Sequence, residues 1–251
     1  ALRAISVIGG VDALGDRREQ TELILRGSRN DENFEFEAAS GSLPYTRLYV
    51  SQAGSSSRVK IETSAIADIL LPESGGADSL TITGSDSAER LHFEPSLGSS
   101  EFALPFPAYR YDVSYFEADP AFPLGGNTLT AYAVKTLSAD LGNGFDAVVV
   151  KGTDLNDDIR LTATSAVVRL GDSVALGNHE SIRVESLGGD DRIEMLSPIL
   201  IDVLIDAGVG DDDQLTVMGP ASSATFTPFE EPRSGRLVTQ RHGDRQTVDY
   251  S

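Results

Sequence analysis

Three stretches of this chain repeat one heptad, Asp-x-Φ-x-Φ-x-Gly with Φ apolar: Asp78 to Gly84, Asp146 to Gly152 and Asp213 to Gly219. A fourth copy, Thr21 to Gly27, carries Thr in place of Asp. The seventh residue after each glycine is again apolar, namely Phe34, Leu91, Ile159 and Phe226. Self-similarity of this kind obliges the chain to be read as an array before any residue is read as a site. The glycines at 27, 84, 152 and 219 set a long period of 57 to 68 residues. The 251 residues therefore divide into approximate repeats 1–60, 61–126, 127–195 and 196–251 of one array.

Inside each repeat the apolar residues alternate with polar ones, as they do in short half-buried strands. Leu80-Ile82, Val148-Val150, Ile159-Leu161, Val167-Leu170, Ile182-Val184, Ile193-Met195, Val203-Ile205 and Leu215-Val217 are such pairs, each flanked by Gly, Asp, Asn or Ser. Helix signals are poor, and Ser64 to Leu71 reads as a strand before Pro72. In the C-terminal half, Ile182 to Met195 and Leu204 to Val217 follow one plan of strand, Gly/Asp turn and strand at an offset of 22 residues. A unit of that length suits one round of a stack whose rounds lie ~4.8 Å apart with like residues in ladders. The expected fold is all-β, a parallel β-solenoid or β-helix of about four long repeats. A four-bladed β-propeller and tandem β-sandwich modules are the alternatives.

Residues 102–126 break the pattern with four prolines and several aromatics, which reads as an inserted loop or edge strand. Phe106, Tyr109, Tyr111 and Tyr115 are its candidate contact residues. The head, Leu2 to Asp12, resembles Ser181 to Asp191, and the tail, Thr247 to Ser251, resembles Tyr111 to Tyr115. Head and tail thus read as parts of one unit cut apart. Either the chain is a piece of a longer array or head-to-tail filament, or its ends pair with each other.

Charge narrows the partners. Thirty-nine acidic against 20 basic residues give a net charge of −19, which disfavours phosphate backbones and anionic membranes and favours cations as counterions. No apolar run approaches the ~18 residues of a membrane-spanning helix. With no cysteine there is neither a disulfide nor a Cys-based metal site, and the absence of tryptophan with only two methionines points to a secreted or surface product of a bacterium.

The chemically suggestive residues are the Gly/Asp turns around Asp78, Asp146, Asp190, Asp191 and Asp211 to Asp213. Gly208-Val-Gly-Asp-Asp-Asp-Gln-Leu-Thr resembles the hemolysin-type calcium-binding nonapeptide, Gly-Gly-x-Gly-x-Asp-Φ-x. Gly152-Thr-Asp-Leu-Asn-Asp-Asp-Ile-Arg-Leu161 is similar to a second turn motif in long, divergent extracellular repeat proteins of planctomycetes and other environmental bacteria. The resemblance implies calcium between turns, held by Asp carboxylates and backbone carbonyls. Hard oxygen donors, roughly six to eight of them, are what calcium takes. The first candidate cage stacks Asp190 and Asp191 over Asp211 and Asp212, with Asp213 beside them. The second is Asp154, Asn156, Asp157 and Asp158. The competing reading is that these residues only form turns and cap backbone N–H groups.

No catalytic constellation emerges, since His92, His179 and His242 stand in different repeats without His-Glu-x-x-His or Gly-x-Ser-x-Gly contexts. Arg160, Arg169, Arg183 and Arg192 suit outward positions as partners of an acidic ladder. Thr81, Thr83 and Thr216 are too few for an ice-binding grid. The expectation is an extracellular or cell-surface structural or adhesive module and not an enzyme. Its partners would be further copies of itself, neighbouring modules or a surface polysaccharide. A carbohydrate-active β-helix enzyme is the rival, and a cleft lined by Arg, Lys and carboxylates of adjacent rounds would favour it.

Overall fold

The computed structural model describes residues 4–8, 22–26, 30–38, 46–63, 68–71, 78–84, 86, 88–97, 109–117, 126–132, 134–168, 173–210, 212–219, 223–228, 235–241 and 244–250. In chain order the strands are β1 (Ala4–Ile8), β2 (Glu22–Arg26), β3 (Glu32–Ala38), β4 (Thr46–Gln52), β5 (Arg58–Thr63), β6 (Asp68–Leu71), β7 (Asp78–Thr83) and β8 (Glu89–Leu97). They continue with β9 (Tyr109–Glu117), β10 (Gly126–Tyr132), β11 (Val134–Asp140), β12 (Ala147–Lys151), β13 (Asp158–Thr162), β14 (Ser165–Val168) and β15 (Val174–Gly177). The last are β16 (Ser181–Glu185), β17 (Arg192–Met195), β18 (Asp202–Asp206), β19 (Gln214–Val217), β20 (Ser223–Pro228), β21 (Gly235–Arg241) and β22 (Asp244–Tyr250). No helix occurs among the described residues, and the chain is all-β.

Two mixed sheets hold these strands. Sheet 1 runs β1-β2-β6-β10-β9-β8-β12-β16-β18-β22-β21-β20, and sheet 2 runs β19-β17-β13-β14-β15-β11-β7-β3-β4-β5. The chain crosses repeatedly between the sheets, and strands from successive rounds line up in parallel as β8, β12, β16, β18 and β22. Hairpins such as β3-β4-β5 and β20-β21-β22 add antiparallel strands.

Register puts like residues in rows. Leu91, Val148, Ile182, Val203 and Val248 form one row of sheet 1, and Phe93, Val150, Val184, Ile205 and Tyr250 the next. In sheet 2, Phe34, Leu80, Leu137 and Val174 align, as do Ile159, Ile193 and Leu215. These residues belong to one hydrophobic cluster that reaches from Leu25 to Val248. Alternation explains the choice of face, because period 2 sends every second side chain inward. Each fully buried Leu, Ile or Val contributes about 1.5–3 kcal/mol relative to exposure. In β14 the phase is shifted from the expected one: Ala166 and Val168 are buried while Val167 is half-buried on the other face.

Several expectations meet a different arrangement. The Tyr109 to Glu117 part of the aromatic segment is neither a loop nor an edge, since β9 pairs with β8 on one side and β10 on the other. The prolines of that segment flank this stretch, and a proline-free run can donate to both neighbours. Strands gather into two sheets rather than four blades, and among the described residues β1 and β22 do not pair with each other: β1 pairs with β2, while β22 lies between β18 and β21. The heptad strands β2, β7, β12 and β19 lie alternately in sheets 1 and 2, and each is followed by a crossing to the other sheet. Repeat boundaries at 60/61 and 126/127 fall within β5 and β10. Of Ser64 to Leu71, β6 is the described part and is a strand; residues 64–67 lie outside the described residues.

Candidate functional site

Two places carry the polar residues that matter, the corners entering sheet 2 and the outer face of sheet 1. At the corners, residues 152–158, 186–192 and 207–214 succeed one another along the stack. The strands before them align at 21 residues (Ile182 with Val203), and the strands after them at 22 (Ile193 with Leu215). The third corner therefore holds one residue more, between Val209, which still bridges Gly188, and Asp212. That insertion changes the expected partners: Asp190 meets Asp212 and Asp191 meets Asp213. Asp211 lies outside the described residues.

Two hydrogen-bond ladders run through these corners in opposite directions. In the inner one, the Asp157 N–H donates to Asp191 Oδ1 at 2.7 Å, and the Asp191 N–H to Asp213 Oδ1 at 2.9 Å. In the outer one, the Asp190 N–H donates to Asn156 Oδ1 at 3.1 Å, and the Asp212 N–H to Asp190 Oδ1 at 3.3 Å. The device recurs where the Glu32 N–H donates to Asp78 Oδ1 at 2.9 Å, and in sheet 1 where the Asp146 N–H donates to Glu180 Oε2 at 2.7 Å. Each of these side-chain oxygens thus satisfies a backbone donor of a neighbouring round, which a buried turn requires. Asp157 also closes its own corner, accepting the Thr153 N–H at 2.5 Å. Asp158 pairs with Arg160 at 2.7 Å, and Asp154 is exposed.

Glycines permit this tight stacking. At Gly152, the seventh heptad position, an added Cβ would sit 2.6 Å from Asp157 Oδ2 and 2.7 Å from the Ser186 carbonyl oxygen. Gly208 has φ +74°, and a Cβ there would lie 2.0 Å from the Leu187 carbonyl oxygen.

Asp191 departs from its neighbours. It is 1 % exposed, and its Oδ2 has no hydrogen-bond partner. Burial, reinforced by the charges of Asp157 and Asp213, holds its carboxyl above the ordinary value despite the opposing Asp157 N–H and Ser186 hydroxyl. One open buried oxygen is a single donor and not a calcium cage. Among the described residues no three His, Asp or Glu side chains converge to hold a metal. The corner oxygens named above are committed largely to N–H groups, so the described donors do not by themselves fit the calcium sphere that the resemblance implies.

The outer face of sheet 1 forms a groove of about 590 Å³ across β8, β12, β16, β18, β22 and β21. Its rows are the outward counterparts of the core rows: Arg90, Ala147, Ser181 and Asp202, then His92, Val149, Arg183, Leu204 and Asp249. Arg183 pairs with Glu185 at 2.7 Å and Asp206 at 3.6 Å, and Arg236 grips Asp249 through two bonds of 2.5 and 2.7 Å. Burial, then the nearby Lys151 and Arg90, hold the His92 imidazole below its ordinary value. His179 is also lowered by burial.

Sequence reasoning named Arg183 and His92 separately but missed the groove. Arg90, Arg236 and Arg245 are distant in sequence, and only the register between β8 and β22 brings them to one face. Arg160 and Arg192 lie elsewhere, both pairing with the buried Glu194 of sheet 2. Arg169, His242 and Phe106 lie outside the described residues, as do the side chains of Tyr109, Tyr111 and Tyr115. No family model matches the chain, and no curated protein or solved structure matches it either.

Proposed function

We propose that this chain is an extracellular structural and adhesive repeat module, a β-solenoid-like stack that extends end to end with further copies or neighbouring modules. The observation that carries the reading is the corner ladder: the acidic residues that looked most like a site are spent on holding one round to the next. The stack also ends on open edges. Among the described residues β19 pairs only with β17, and its Leu215 and Val217 are half-buried against the core. An edge strand with unpaired backbone groups is a template for another strand.

Assembly tests the proposal. The full chain should form concentration-dependent linear oligomers in sedimentation and electron microscopy, and Thr216→Lys, which places a charge on the β19 edge, should reduce them several-fold. A native chain that stays monomeric at all concentrations, or oligomers indifferent to Thr216→Lys, would sink the end-to-end part.

The groove favours a second, carbohydrate-directed reading, because it brings arginines and carboxylates of adjacent rounds to one face. Within the module it would serve as the adhesive surface, and under the rival reading as an enzyme cleft. Screening the chain against acidic and neutral polysaccharides for release of reducing or unsaturated ends separates the two.

A further inference from the structure

On the outer face of sheet 1 the sign of the charge reverses. The groove lining holds Arg90, Arg183, Arg236 and Arg245 against Glu185, Asp202 and Asp249, whereas the whole chain has 20 basic and 39 acidic residues. Arg183 and Arg236 are engaged by carboxylates. Arg90 and Arg245 are exposed, and neither makes an ion pair among the described residues. They stand on β8 and β22, four strand steps apart, on the order of 19 Å at the usual strand spacing. Between them the outward row runs from Val149, buried at 4 % exposure, through Arg183 to the exposed Leu204.

We propose that this groove binds an acidic polysaccharide, with sugar carboxylates held by Arg90 and Arg245, a ring face on the exposed Leu204, and hydroxyls on Glu185, Asp202 and Ser181. The inference rests on the adhesive half of the reading above and is independent of end-to-end stacking. Mixed lining selects this ligand class. A guanidinium fork matches a carboxylate, while the interleaved Glu and Asp accept from hydroxyls and repel a densely charged chain. The field of a protein with net charge −19 opposes every polyanion at long range, and polyphosphate or nucleic acid more than a chain of sparser charge. A sugar chain with one carboxylate per ring presents sparse charge and many donors. The neutral imidazole of His92 both donates to and accepts from hydroxyls.

The test is calorimetric titration of the full chain with galacturonate oligomers of graded length, neutral galactose oligomers of the same lengths, and inorganic polyphosphate. Galacturonate oligomers should bind saturably, tightening until their length spans the groove. Arg90→Ala and Arg245→Ala should each weaken binding about tenfold. The neutral oligomers should bind at least tenfold more weakly. Both arginines are exposed and make no ion pair among the described residues, so the variants should keep the native melting temperature. Thr216→Lys should leave glycan affinity within about twofold, so failure of assembly and failure of glycan binding are read separately. Absence of saturable galacturonate binding, unchanged affinity in the double variant, or tighter binding of polyphosphate than of galacturonate would overturn the proposal.

Discussion

The corners entering sheet 2 and the outer face of sheet 1 use charge in opposite ways. At the corners, carboxylates turn toward the backbone of the next round, and Asp157 and Asp191 are buried. On the sheet face, arginines turn toward solvent, and Arg90 and Arg245 make no ion pair among the described residues. The corner residues are local in sequence and dense in Gly and Asp, so they read as a motif. The face is assembled from single residues at positions 90 to 249, so it does not. The corner carboxylates accept N–H groups of neighbouring rounds, and the residues of the groove follow no motif.

The largest expected effect tests the corner as a structural joint. Gly208→Ala forces a left-handed backbone position and a clash with the Leu187 carbonyl, and it should cost about 3 kcal/mol or more in chemical denaturation. If it costs less than about 1 kcal/mol, the close stacking of the corners is wrong.

Asp191→Ala comes next. It leaves the buried Asp157 N–H without its acceptor and should cost about 1–3 kcal/mol. Asp191→Asn keeps an acceptor, removes the repulsion with Asp157 and Asp213, and should change stability by no more than about 1 kcal/mol in chelator. In calcium the two readings part. If the corner holds the ion, calcium raises the native melting temperature and not that of Asp191→Asn; an unchanged native melting curve in chelator removes the metal.

The pH dependence has a definite sign. A folded carboxyl held above 3.8 binds its proton more tightly than the unfolded chain does. That contribution is full below 3.8 and is lost as pH rises through the raised folded value. The stability of the native chain relative to Asp191→Asn should therefore fall as pH rises above about 4. A relative stability that rises over this window would place a positive charge beside Asp191.

The smallest effect belongs to the groove. His92 should titrate below 6.5, followed by its imidazole proton resonance, and Arg90→Ala should raise the midpoint because one source of repulsion is gone. A midpoint unmoved by Arg90→Ala would separate the two residues that the register of β8 brings to one face.

The strands were legible because alternation is a local property: Leu80 with Ile82, Val148 with Val150 and Ile193 with Met195 all face the core. The turn-forming role of Asp190, Asp191 and Asn156 was legible too, since short polar side chains beside glycine cap backbone donors. Their exact partners were not. Asp190 meets Asp212 and Asp191 meets Asp213 at the offset of 22, where the expected cage paired them at 21; the strands before the corner align at 21, and one extra residue in the third corner makes the difference. The place of β9 was hidden by the prolines around it.

By itself the sequence determined the all-β class and most of the inward residues, because each depends on spacing within a few neighbouring residues. The tertiary structure decided which sheet each heptad strand joins, which aspartates meet, and that Arg90, Arg183, Arg236 and Arg245 share one face. Those outcomes depend on the register between strands far apart in the chain, and a shift of one residue in that register moves a side chain from one face of a sheet to the other.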